Sequence, residues 1–246
     1  MRKEPFGVGD YVHVYNRGNR KTDIVRDLQD RWRFLACLRF FNDEQPGQYT
    51  IRSFFGRCEN NQQQGRVKSD FTRFGWPEGI PPQKPIVNIV SYCLMPNHFH
   101  LLLKEIVAGG ITAFMRKLGT GFTNYSNIRY KESGRIFQGA YKAKCVTDKQ
   151  GMNYIDAYIQ ILNPFESLPD RMPFNNFDKA FQAAIDDPFC SLGESLGFRD
   201  LSILDRKETT QKFHLPKNEH ECKKIAREII LDKGFKKLLG DLTLED

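Results

Sequence analysis

The sequence lacks several features that would settle its class at once. It has no apolar run of about 18 residues or more, so a membrane-spanning helix is not expected. Its first ten residues, MRKEPFGVGD, lack the apolar stretch of a secretory signal, and an intracellular location is the expectation. The six cysteines (Cys37, Cys58, Cys93, Cys145, Cys190 and Cys222) stand singly, with no C-x-x-C pair to suggest a zinc ribbon or a redox motif. They read as reduced thiols that behave as small hydrophobes. No internal repeat is apparent, and there are only five histidines in 246 residues.

Acidic residues are scarce in one part of the chain only. Residues 1–150 hold 24 Lys and Arg against 13 Asp and Glu, a balance of +11, whereas residues 151–246 hold 13 against 17, or −4, which together give the net +7. A basic body with an acidic final third points to an anionic partner for the first part. With 40% hydrophobic and 27% charged residues, the composition is that of a globular protein able to bury a core.

DYVHVYNRG, from Asp10, alternates before an Asn-Arg-Gly turn and predicts a first strand. An amphipathic helix is predicted from Thr22 or Asp23, with Ile24, Leu28, Trp32, Leu35 and Leu38 on one stripe. From 43 to 85 the pattern dissolves into Gly, Pro, Gln and Arg with scattered aromatics, an insertion long enough to be functional. PIVNIVSYCLM and HFHLLLKEI predict two strands joined at Pro96-Asn97, and 109–130 predicts a helix burying Ile111, Phe114, Met115, Leu118, Phe122 and Tyr125. A strand in IFQGAYKAKCVT and a helix from near Asp148 follow, the helix ending before Pro164 because the residue preceding proline disfavours the α region. The order β, α, β, β, α, β, α predicts an α+β fold: an antiparallel sheet with helices on one face, followed by a mostly helical extension over 166–246.

Within this layout His98 and His100 stand two residues apart on a strand, so both imidazoles project to one face while Phe99 goes to the other. Two imidazoles one pleat apart on a rigid strand are suited to share a divalent cation. His13, on the first strand, is a candidate to face the same place, whereas His214 and His220 in the extension read as surface residues.

The stretches YVHVYNRGNRKTDIV, SYCLMPNHFHLLL, FMRKLGTGFTNYSNIRY, GRIFQGAYKA and YIQILNP, in that order over residues 10–165, resemble the HUH single-strand nucleases. More closely they resemble the single-tyrosine transposase family, in particular its REP-associated branch. The resemblance implies a ferredoxin-like, RRM-like sheet (the HUH nuclease fold) over 1–165. It also implies a metal-dependent endonuclease and strand transferase that cuts single-stranded DNA near a hairpin and becomes joined to its 5′ phosphate through a tyrosine. Mg²⁺ or Mn²⁺ is the implied cofactor, held by His98, His100 and a residue about one turn after the nucleophile.

The family form of that last stretch is Tyr-Ile-x-x-Asn-Pro, but here Tyr158 and Asn163 are five residues apart instead of four. One extra residue rotates a regular helix by about 100°, so a π-bulge, another tyrosine or another ligand is required. Tyr158 or Tyr154 is the candidate nucleophile, and Asn163 or Gln160 the candidate third ligand. Arg116, Lys117, Arg129, Lys131, Arg135, Lys142 and Lys144 are candidate phosphate contacts, and the insertion or the extension could add grip on the hairpin. The resemblance further implies a bacterial or archaeal type of protein in the cytoplasm, associated with the nucleoid. A monomer is favoured over a homodimer, since the extension could cover a sheet edge. The alternative reading is a catalytically impaired binder of DNA or RNA hairpins on the same fold. An unrelated zinc hydrolase would need a third strong ligand that the sequence does not offer.

Overall fold

The computed structural model describes residues 6–44, 83–166, 176–205 and 218–231. The insertion predicted over 43–85 therefore lies almost wholly outside the described residues. Strand β1 (Tyr11–Arg17) leads through a short 3₁₀ turn (Asn19–Lys21) to helix α1 (Leu28–Phe41). Strands β2 (Val87–Leu94) and β3 (His98–Glu105), helix α2 (Gly110–Tyr130) and strand β4 (Lys142–Val146) complete the sheet in the order β2-β3-β1-β4, antiparallel throughout. This βαββαβ arrangement is the α+β fold that the sequence predicts. Helix α3 (Lys149–Ala157), a π-helical turn (Tyr158–Leu162) and α4 (Asn163–Glu166) then run on without a break, and α5 (Phe177–Asp186), α6 (Leu192–Ser195) and α7 (Glu219–Leu231) follow.

One face of the sheet presents Val12, Val14, Phe99, Leu101 and Leu103, which pack with Phe34, Leu38, Phe114 and Phe122 of α1 and α2. The other face presents Leu102, Cys93 and Val90 to Met152, Ile155, Ile159 and Ile161 of the α3 segment, with Phe181 of α5 and Cys222 of α7 beyond. Every residue of β2 is buried, which is why its sequence, VNIVSYCL, runs nearly unbroken in apolar residues instead of alternating. The paired helices α1 and α2 occupy the face that the sequence predicts, and the tyrosine-bearing segment fills the second. The extension is thus continuous with this second core rather than a separate layer.

Two helix boundaries correct the sequence reading. Helix α1 begins at Leu28, not at Thr22 or Asp23, because the Asp27 side chain accepts from the Asp30 N–H as an N-cap. Ile24 and Val25 instead donate their backbone N–H groups to Pro96 O at 2.8 and 3.1 Å, tying the lead-in to the β2–β3 turn, and Leu28 is exposed. The second correction concerns Pro164, which does not stop the helix: Asn163 before it has φ −58° and ψ −49°, in the α region. Proline removes one N–H from the helical ladder, and the Gln160 carbonyl four residues earlier is taken up by the Cys190 thiol, Sγ···O 3.0 Å.

Residues 189–191 run along the β2 edge. Leu94 N donates to Phe189 O at 2.9 Å, Ser191 N to Tyr92 O at 2.9 Å, and Tyr92 N to Ser191 Oγ at 3.0 Å. Five cysteines are free thiols among the described residues. Burial pushes the Cys37 and Cys222 thiols up to about 12, as befits inert core groups.

Candidate active site

The turn Met95-Pro96-Asn97-His98 is closed by Met95 N donating to His98 O at 2.9 Å, and β3 leaves it with His98 as its first residue. His98 and His100 lie on the face covered by the α3 segment, their rings 5.1 Å apart and nearly perpendicular. Phe99, on the opposite face, packs on Phe34 with ring centroids 5.1 Å apart. That contact anchors the strand and so aims both imidazoles.

Each histidine has its Nδ1 engaged. His98 Nδ1 lies 2.5 Å from Asn97 Oδ1, and since an amide oxygen only accepts, the proton sits on Nδ1 and Nε2 offers the lone pair. His100 Nδ1 lies 3.0 Å from His13 Nε2, with both residues fully buried. His13 therefore faces this site, and Tyr15, on the same face of β1, stacks on His13 and His100 at 5.5 Å each.

Tyr158 closes the cluster from the helix side. It is almost fully buried, and its ring stands edge-on to His100 at 5.2 Å and to His13 at 6.3 Å. Tyr154, one turn earlier, accepts from Gln150 Nε2 at 3.1 Å.

The spacing between Tyr158 and Asn163 is resolved by the π turn. Five residues of regular helix would leave two side chains about 140° apart. Here Asn163 N–H bonds to Tyr158 O, closing the turn on the fifth residue, so Asn163 stands where the fourth would in an α-helix. The Asn163 side chain is fully buried, and neither its Oδ1 nor its Nδ2 meets a hydrogen-bond partner among the described residues. Gln160 is the opposite case, donating to Asp156 Oδ1 at 2.7 Å and accepting from Ser191 Oγ at 3.1 Å.

Among the described residues no group of three or more His, Cys, Asp or Glu side chains could hold a metal ion. A site here would have to draw on two imidazoles and an amide. The fixed Nδ1 atoms and the unsatisfied buried amide fit such a donor set.

The basic residues fall into separate groups. Lys142 and Lys144 lie on β4 opposite Tyr15 and His13, on the edge of the histidine face, and Lys142 Nζ sits 5.5 Å from the Tyr15 ring. Arg116 and Arg135 line a cavity of about 670 Å³ on the α2 side together with Asn16, Thr120, Thr123 and Tyr141. Lys131 is exposed at the end of α2. Two others are committed internally: Arg129 bridges Asp27 at 2.6 Å and Asp30 at 2.5 Å, and Lys117 Nζ donates to Asp43 O at 2.6 Å, where burial lowers its pKa.

Tyr15 and Asn97 are the site residues that sequence reasoning misses. The signal for Tyr15 is the same period-two alternation, His13 to Tyr15, that exposes His98 and His100. Asn97 is read only as a turn residue, although it sets the tautomer of its neighbour.

Residues 83–161, covering β2 to the π turn, match the family model described as transposase, IS200-like. Over these residues the chain is similar to the IS200-like transposases. The IS200-like segment is about a third of the 246-residue chain and holds His98, His100, Tyr154, Tyr158 and Gln160. A solved structure of the REP-associated tyrosine transposase bound to a REP hairpin is similar at a TM-score of 0.44 and 13% identity, over 80% of this chain and 84% of that one. No curated protein matches.

Proposed function

We propose that this IS200-like protein is a metal-dependent endonuclease and strand transferase acting on single-stranded DNA near a hairpin, with Tyr158 as its nucleophile. The observation that carries this reading is the Tyr158 ring edge-on to His100, on a π turn that returns Asn163 to the face of Tyr158. Tyr154, whose hydroxyl accepts from Gln150 one turn earlier on the helix, is the second candidate. Gln160 is the weaker ligand, both ends of its amide being bonded elsewhere.

His98 and His100 through Nε2, with Asn163, would hold the cation. A divalent ion bound there would polarise a phosphate oxygen and offset its charge as the nucleophile approaches. Because this donor set is neutral and partly nitrogen, Mn²⁺ should support activity better than Mg²⁺, which prefers oxygen-rich sites.

The Tyr158 hydroxyl attacks phosphorus in line and loses its proton as the new P–O bond forms. The P–O3′ bond breaks, and the departing 3′ oxygen takes up a proton to become a 3′-OH. A tyrosine thus becomes joined to the 5′ phosphate, and attack by another 3′-OH reverses the step and joins new strands. Lys142 and Lys144 on the edge of the histidine face, with Arg116, Arg135 and Lys131 farther out, would contact phosphates without reading sequence.

Residues 1–165 would carry the chemistry, with 166–246 bracing it. The covered β2 edge supports a monomer. An impaired hairpin binder is the second reading, and the π turn weakens it by taking up the five-residue spacing between Tyr158 and Asn163.

The test is incubation with Mn²⁺ and labelled single-stranded DNA carrying a hairpin with unpaired flanks, followed by SDS gels. A covalent adduct lost in Tyr158→Phe and kept in Tyr154→Phe is expected. Tight binding without any adduct would instead identify a binding module.

A further inference from the structure

His13 lies outside the segment matched by the family model, yet it makes a direct polar contact with His100 inside the cluster. Its Nε2 is 3.0 Å from His100 Nδ1, the two rings are stacked at 5.2 Å with 15° between their planes, and both residues are fully buried. Only one proton fits between the two nitrogens. If it belongs to His13, His100 carries its own proton on Nε2 and has no lone pair left there for a cation. If it belongs to His100 Nδ1, then His13 accepts it and His100 Nε2 becomes a ligand.

The neighbouring pair sets a precedent within the same site. Asn97 Oδ1 can only accept, so it fixes His98 in the Nδ1-protonated form. A site using both imidazoles needs the same tautomer at His100, and His13 Nε2 is the acceptor placed to give it. Tyr15, stacked on both rings at 5.5 Å, and Tyr158, edge-on to both, keep the His13 ring from turning away.

We infer that His13 is a positioning residue that holds His100 as its Nε2 tautomeric ligand by accepting the Nδ1 proton, and so sets the affinity of the site for a divalent cation. This rests on the reading of His98 and His100 as metal ligands. His13 itself touches neither cation nor substrate.

The experiment is Mn²⁺ titration of the DNA-free full-length protein, by calorimetry or by loss of the free-ion EPR signal, with thermal unfolding in EDTA recorded for each variant. His13→Leu removes the acceptor and should weaken Mn²⁺ binding about 10–100-fold, the range expected for a lost partner of a ligating histidine. His13→Gln places an amide oxygen near the position of Nε2 and should restore affinity to within about threefold, a rescue that a mere packing role would not give. If His13→Leu does not fold, His13→Met serves as the acceptor-poor variant.

His100→Ala separates the two levels of the argument. Wild-type affinity in His100→Ala would overturn the metal reading itself. Affinity lost in His100→Ala but kept in His13→Leu, or lost equally in His13→Leu and His13→Gln, would overturn the role of His13 alone.

Discussion

The backbone N–H of Asn163 bonds to the carbonyl oxygen of Tyr158, five residues earlier, and this single bond decides which side chains share a face. Deleting Leu162, a half-buried residue of the turn, should let the segment close as a regular helix with tyrosine and asparagine four apart. Adduct formation should then stay within about tenfold of wild type. An alanine inserted after Leu162 turns the amide about 100° further and should cost about 100-fold or more. Single-turnover adduct assays check both, and equal losses would show that the shape of the turn matters rather than the facing it restores.

Asn163 stores a cost in the metal-free protein, because both ends of a fully buried amide lack partners among the described residues. Asn163→Leu should raise the unfolding free energy in EDTA by about 1–2 kcal/mol while weakening Mn²⁺ binding. Urea denaturation with and without Mn²⁺ measures both effects. A destabilised variant would mean that the amide is satisfied in solution.

Asp30 is nearly fully buried and accepts from Tyr125 Oη at 2.9 Å, Tyr130 Oη at 2.6 Å, Arg129 Nη1 at 2.5 Å and the Arg26 N–H at 2.9 Å. Asp30→Ala strands these donors and should cost about 3–5 kcal/mol. Glu132→Ala, which breaks the exposed Arg26–Glu132 pair, should leave the urea midpoint almost unchanged. Comparable losses in the two variants would contradict the assignment of Asp30 as the hub joining α1 to α2.

Glu194 gives a pH signature of its own. Burial raises its carboxyl pKa, although the Ile203 and Leu204 N–H groups and the Tyr92 hydroxyl bond to it and partly offset that rise. The folded state therefore binds the proton more tightly than the unfolded chain, in which the pKa is about 4.3. Its stabilising contribution is present below that value and is lost as pH rises through the folded pKa. The stability of wild type relative to Glu194→Gln should accordingly fall as pH increases from about 4. Urea unfolding across pH checks this, and a constant difference would show a carboxylate fully compensated by its donors.

Much of this site is legible in the sequence because its parts are local. The H-x-H alternation places His98 and His100 on one face whatever the rest of the chain does, and the same alternation places His13 and Tyr15. The one-residue excess before Asn163 is also visible, and a π-bulge is among the repairs it requires. What is not legible depends on bonds between distant segments. Ile24 fits a helical stripe, but its N–H goes to Pro96 O, 72 residues away, and this pulls it out of α1. Pro164 looks like a stop, yet the helix continues through it, and the carbonyl of Gln160 is taken up by a thiol from residue 190. Arg129 looks like a phosphate contact until Asp27 and Asp30 are seen beside it.

The strip 189–191 sets a limit on how this protein can be shortened. Cutting at 165, where the sequence patterns suggest a boundary, would strip the β2 edge of its partners at Tyr92 and Leu94 and remove the thiol bonded to Gln160. It would also uncover Ile155, Ile159 and Phe165, which share a core with Phe181 and Cys222. A fragment of that kind would present an open strand beside bare apolar surface and would tend to associate with itself. A minimal version of this protein therefore has to keep α5, the strip 189–191 and α7, even though every residue assigned to the chemistry lies before them.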